Sequence, residues 1–194
     1  MRLINYIKKN STVKDEEIEV IKFGIQMFRM IIAAVLLSVI IASISKMLTE
    51  GIMFLIFLIP MRQMAGGYHT KNKISCYVIS VFIYVISLIL IKYENCSLYI
   101  QVPIYVINLL IIIYLSPVDN FNNKLEENHK AYLRKKIKYI IIFNSIIYLT
   151  LIILRLEYWS FIILLSQGIV ALLLIAGWLQ IRVSNIHCSS RYTL

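Results

Sequence analysis

Apolar residues run through this chain in six uncharged stretches: Met30 to Ser45, Gly51 to Met61, Ile74 to Ile91, Asn95 to Val118, Tyr139 to Leu154 and Tyr158 to Ile181. A helix that crosses a bilayer needs roughly 20 mainly apolar residues, within a range of about 17 to 25, so the third, fourth and sixth stretches suffice as they stand. The first reaches that length by extending back through Phe23 to Phe28. The fifth does so if Lys138 and Arg155 snorkel, laying their stems along apolar surface with the charge in water. The second is the weakest. It needs Met47 to Thr49 or Gln63 to Ala65 to complete it, and Pro60 removes a helical hydrogen bond, so a short, kinked or re-entrant helix is an alternative there. The pattern predicts an all-α integral membrane protein of about six transmembrane helices.

Charge sets the expected orientation. Of the 20 Lys and Arg, all but Lys46, Lys92 and Arg155 fall before the first stretch, between the second and third, between the fourth and fifth, or after the sixth. Cytoplasmic segments carry the excess of Lys and Arg, so both termini are expected in the cytoplasm. The second stretch must then be a true crossing, because without it the cations from Lys124 to Lys138 would face outward. Composition agrees, with 60% hydrophobic and 15% charged residues and a mean hydropathy of +0.79. The same charge pattern accounts for the net +10 without nucleic acid as a partner. The apolar run after Arg2 breaks at Lys8 and Lys9, which does not fit a removable signal peptide.

Three segments flank or join the crossings. Residues 1–22 form a cytoplasmic N-terminal segment, with Leu3, Ile4 and Ile7 beside Lys8 and Lys9 as a short basic amphipathic helix on the membrane surface and a helix start at Thr12 and Asp15. Residues 62–75 and 116–138 are read as cytoplasmic loops, the second strongly basic, and residues 1–194 as a single membrane-embedded domain. Gln101, Asn108, Asn144 and Gln167 lie within the stretches. Uncharged amides there more often bond neighbouring helices than line a pathway, and no charged residue or histidine lies deep in a span, where such groups mark ion routes.

Candidate chemistry concentrates in the loop from Arg62 to Cys76, where histidine, cysteine, cations and two glycines meet. A cysteine attacks as thiolate and needs a lowered pKa or an adjacent base. Cys76 falls in the first turn of the third crossing if Asn72 or Ser75 caps it, where exposed N–H groups favour an anion. Lys71 and Lys73 add positive charge. His69 could serve as base, but seven residues of continuous helix rise about 10.5 Å, whereas the two groups must approach to about 3 Å. His69 must therefore return on a non-helical loop, for which Gly66-Gly67 supplies backbone freedom. The residues alone leave open that Cys76 is a small apolar filler and His69 a solvated side chain. Zinc ligation by His69 and Cys76 is disfavoured, because His129, His187 and Cys188 lack compact ligand spacing. Cys76 and Cys96 fall at opposite boundaries, so no disulfide joins them.

The string Arg62-x3-Gly66-Gly67-x-His69-x6-Cys76, after a proline-ended apolar segment in a six-span chain, resembles the accessory gene regulator protein B family, membrane peptidases that process autoinducing-peptide precursors in Gram-positive quorum sensing. The resemblance implies Cys76 as nucleophile and His69 as general base, with Arg62 and Gly67, and beside it Gly66, in support. It also implies a bacterial cell-membrane enzyme with its catalytic loop in the cytoplasm, a short amphipathic precursor peptide as partner, and no cofactor or metal. Cleavage would release the precursor's C-terminal tail and leave an acyl-enzyme thioester that closes to a thiolactone. Arg134, Lys135 and Lys136 are expected to attract an acidic part of the precursor, though the cluster could equally anchor its helix to anionic lipid. A homodimer is among the oligomeric states the sequence allows. The rival reading is a small channel or transporter in which His69 and Cys76 are incidental.

Overall fold

The computed structural model describes residues 15–66, 73–117 and 127–189, which form six helices: α1 (Asp15–Ile44), α2 (Leu48–Ala65), α3 (Lys73–Lys92), α4 (Leu98–Leu115), α5 (Glu127–Ile153) and α6 (Glu157–Ser189). There is no β-strand among the described residues. Four helical segments are long and apolar enough to cross a membrane by length and composition: Leu48–Ala65, Leu98–Leu115, Lys130–Ile153 and Glu157–Arg182. Phe28–Ile44 and Tyr77–Lys92 are shorter apolar pieces of α1 and α3.

Two boundaries differ from the sequence expectation. α2 continues through Pro60 to Ala65, so the expected loop at 62–75 opens only at Gly66. Pro60 sits on an exposed face, so the ring intrudes on no neighbour in the core. The basic segment 127–138 belongs to α5 and is no loop. Glu, Lys, Arg and Ala are favourable helix formers, and a helix needs apolar surface only where it is buried.

The helices run up and down. α1 ends and α2 begins through a turn at Lys46 (φ 56°): Lys46 N–H donates to the Ser43 carbonyl (3.1 Å) and Met47 N–H to that of Ala42 (2.9 Å). Arg155 (φ 56°) repeats the arrangement between α5 and α6, donating to Ile152 (2.9 Å) while Leu156 donates to Leu151 (2.9 Å). Both are Schellman turns, which satisfy the last carbonyls of a helix. Met47 and Ala42 pack together in the core beside the first of them. The starts of α2, α4 and α6 are then tied at this same end. Tyr158 Oη donates to Glu50 Oε1 (3.3 Å), and Ser160 Oγ donates to Gln101 Oε1 (2.8 Å). Gln101 Nε2 lies 2.6 Å from the Cys96 carbonyl, 3.3 Å from Glu94 Oε1 and 3.4 Å from the Glu157 carbonyl. Lys46, Lys92 and Arg155, the cations outside the basic segments, all close helices at this end.

α6 is the central helix, packing most extensively on α2 and α4 and also on α5 and α3. Its small and apolar residues Ile162, Ile163, Val170, Ala171 and Leu174 are essentially fully buried, while Phe82, Leu110, Phe143 and Leu172 project outward at 59–66% exposure. An apolar exterior of this kind suits lipid and not water. The buried amides join helices as expected: Gln167 Nε2 donates to Tyr105 Oη (3.1 Å), Tyr105 Oη to Ser145 Oγ (3.0 Å), and Asn144 Nδ2 lies 2.9 Å from Met61 Sδ. Asn108 packs against Gly168 on α6.

Candidate functional site

α2 presents two faces by its 3.6-residue period. Phe54, Phe57, Met61 and Ala65 are buried, with Met61 and Ala65 in one cluster with Ile137 and Ile141 of α5 and Val170 and Leu174 of α6. The opposite face carries Leu55, Ile59, Arg62 and Gln63 and ends at Gly66; all five line a cavity of about 410 Å³. α1 contributes Ile31, Ala34, Val35 and Ser38 at helical spacing, α3 contributes Ile79, Ser80, Ile83 and Tyr84, and α6 adds Ile169 and Leu173. The walls are mainly apolar, with Ser80 among them. Arg62, in the last turn of α2, complements the negative end of the helix dipole at one end; Ser38 and Tyr84 lie deeper.

Gly66 terminates α2 with φ 72° and ψ −146°. This backbone region is open essentially to glycine alone, so the local chemistry of the chain dictates the residue. It ends the helical path of α2 at this point. Gly67, Tyr68, His69, Thr70, Lys71 and Asn72 lie outside the described residues, as does the side chain of Cys76.

The helix that bears Cys76 is described. α3 starts at Lys73, which places position 76 in the first turn and Ser75 inside the helix, leaving Asn72 as the residue before it. Position 76 stands three, four, seven and eight residues before Ile79, Ser80, Ile83 and Tyr84. Those are the spacings that share one helical face, so the cavity wall on α3 continues along the face to which position 76 belongs.

The far end of the cavity is closed by tight packing. A Cβ built on Gly51 would meet the Tyr84 hydroxyl and would stand 2.8 Å from the Ala42 Cβ, so only glycine lets α1, α2 and α3 approach this closely. Tyr84 is 3% exposed and its hydroxyl has no hydrogen-bond partner. Sequence reading missed Tyr84, Ser38 and Gly51. The helical spacing from Cys76 to Tyr84 was the signal that could have found the first.

The remaining predicted residues separate in space. Arg134 and Lys138, one turn apart on α5, line an open groove of about 640 Å³ against Leu110, Ile113 and Ser116. Lys136 instead stacks its Nζ 4.5 Å from the Tyr132 ring centre, and Lys135 is exposed. Cys96 is half-buried at the opposite end, its N–H donating to Glu94 Oε1 (3.0 Å). Burial, and then the Glu94 carboxylate, push its thiol above the usual range. That environment disfavours the thiolate a nucleophile needs.

The sequence model of the family described as Accessory gene regulator B matches residues 1–182 of the chain. No curated protein and no solved structure matched it.

Proposed function

The chain belongs to the accessory gene regulator B family, and on that premise we propose that it is a membrane cysteine endopeptidase that trims and cyclises a peptide precursor. Family membership supports a part in accessory gene regulation by quorum-sensing peptide processing and a place in the membrane. The finer reading is supported by the convergence of Arg62, Gly66 and the α3 face of Ile79, Ser80 and Ile83 on one cavity, a face whose helical spacing runs back to position 76. In this reading the chain crosses the bacterial cell membrane six times. Its termini and the loop between α2 and α3 lie in the cytoplasm, following its lysines and arginines.

Cys76 attacks the carbonyl of the scissile bond, and His69 takes the thiol proton. As the tetrahedral intermediate collapses, the C–N bond breaks and His69 returns that proton to the leaving amine, which departs with the C-terminal tail. The retained segment is held as a thioester on Cys76. A cysteine thiol within that segment then displaces Cys76, forming the ring thioester and regenerating the enzyme thiol. Cations and helix N–H groups near Cys76 favour its thiolate. The precursor peptide and membrane lipid are the partners, and Arg134, Lys135 and Lys136 attract the precursor's acidic part. The channel alternative draws no support from the span amides, because Gln101, Asn144 and Gln167 are occupied in contacts between helices.

Co-expression with a cysteine-containing amphipathic precursor tests this. Mass spectrometry should find the released tail and, when the precursor's internal cysteine is replaced by serine, a peptide thioester on Cys76. Normal processing after removal of both Cys76 and His69 would sink the proposal.

A further inference from the structure

We propose that the cavity between α1, α2, α3 and α6 is a side-chain pocket that reads the bulky apolar residue beside the scissile bond, with Ala34 and Ile79 setting its size; this rests on the peptidase reading above. From Ile79 back to position 76 the helix rises about 4.5 Å, while successive residues of an extended peptide advance about 3.3 Å. A side chain one or two residues from a carbonyl at Cys76 therefore reaches the pocket. The volume of about 410 Å³ falls at the low end of ligand pockets, about 300 to 1,000 Å³, which suits one or two side chains and not a helix.

Lining chemistry selects among occupants. The walls offer Ala34, Val35, Leu55 and Ile83 and no acidic group, so an apolar side chain is favoured over a basic one. At the mouth Arg62 and Gln63 offer N–H donors, to which a lipid acyl chain brings no acceptor. A peptide does, because a backbone carbonyl follows every side chain. Retention in this pocket would also hold the acyl segment while its internal thiol closes the ring.

The test uses full-length enzyme in phosphatidylglycerol-containing vesicles and precursors with Ala, Leu or Phe on the acyl side of the cleaved bond. Wild type should cleave the Phe or Leu precursor about tenfold or more faster, by kcat/KM, than the Ala precursor, in line with what an apolar pocket discriminates. Ala34→Phe fills the pocket and should lower the Phe/Ala rate ratio about tenfold. Ile79→Ala enlarges it and should raise the ratio, so the proposal stays open to refutation if the first variant fails to insert. Equal slowing of every precursor, or an unchanged ratio in both variants, would overturn it. A slowing reversed only by altering lipid acyl-chain length would assign the cavity to lipid instead. If wild type forms no thioester with any precursor, the peptidase reading itself has failed, and the pocket assignment falls with it.

Discussion

On the proposed mechanism Cys76 is the nucleophile, and Cys96, a described thiol, lies at the opposite end of the bundle. Cys76→Ala should abolish tail release, whereas Cys96→Ser should retain it. The raised pKa of Cys96 carries its own check. A group held above its ordinary pKa stays protonated through neutrality, so alkylation of Cys96 should be slow at pH 7 and accelerate only at distinctly alkaline pH. His69→Ala should slow processing about 10²- to 10⁴-fold, the usual contribution of a general base, with recovery as rising pH ionises the thiol directly; a flat profile would exclude the base role. Gly66→Ala should cost about 1–3 kcal/mol in local strain, and reduced tail release with unchanged insertion would show that strain misdirecting the loop. The end of α2 at Gly66 was legible because glycines are rare in so apolar a chain, whereas His69 and the side chain of Cys76 lie outside the described residues. Tyr84 and Gly51 were not legible, because their meaning lies in an approach between helices distant in sequence.

Among the elements, the two Schellman turns make the clearest forecast. Lys46 and Arg155 hold a left-handed conformation that costs a non-glycine residue about 1–2 kcal/mol. Lys46→Gly and Arg155→Gly should therefore each stabilise the protein, by up to about 1 kcal/mol, measured by thermal denaturation in detergent. A fall in stability would mean that the cationic side chains contribute more than the strain they carry. Gln101→Leu should act oppositely, destabilising by about 1–3 kcal/mol, because it leaves the Cys96 carbonyl buried without its donor. Hydropathy revealed the six helices, yet it mistook the start of α5 for a loop, since it records where lipid is tolerated and not where backbone hydrogen bonds close. It also understated α2, where Pro60 weighed against a helix whose outward face tolerates the ring.

For the whole molecule, Arg62, Arg134 and Lys138 lie toward one end, and the Glu50, Gln101 and Ser160 contacts tie the helices at the other. The basic cluster was legible as composition, but its division was not: Arg134 and Lys138 share a groove while Lys136 leans on Tyr132. Neutralising Arg134, Lys135 and Lys136 together with Gln should slow processing of a precursor with an acidic tail, most of all at high salt, where the remaining attraction is screened. Arg134→Gln alone should account for most of that loss. Unchanged rates across salt concentrations would reduce the cluster to a membrane anchor.

The packing of Gly51, Ala42 and Tyr84 beneath the cavity has a bearing on traffic. With Phe54 and Ile162 sealed alongside at 0% exposure, the hollow has no passage through its floor to the far end of the bundle. In the proposed reaction a finished ring would then not cross to the far side through this cavity.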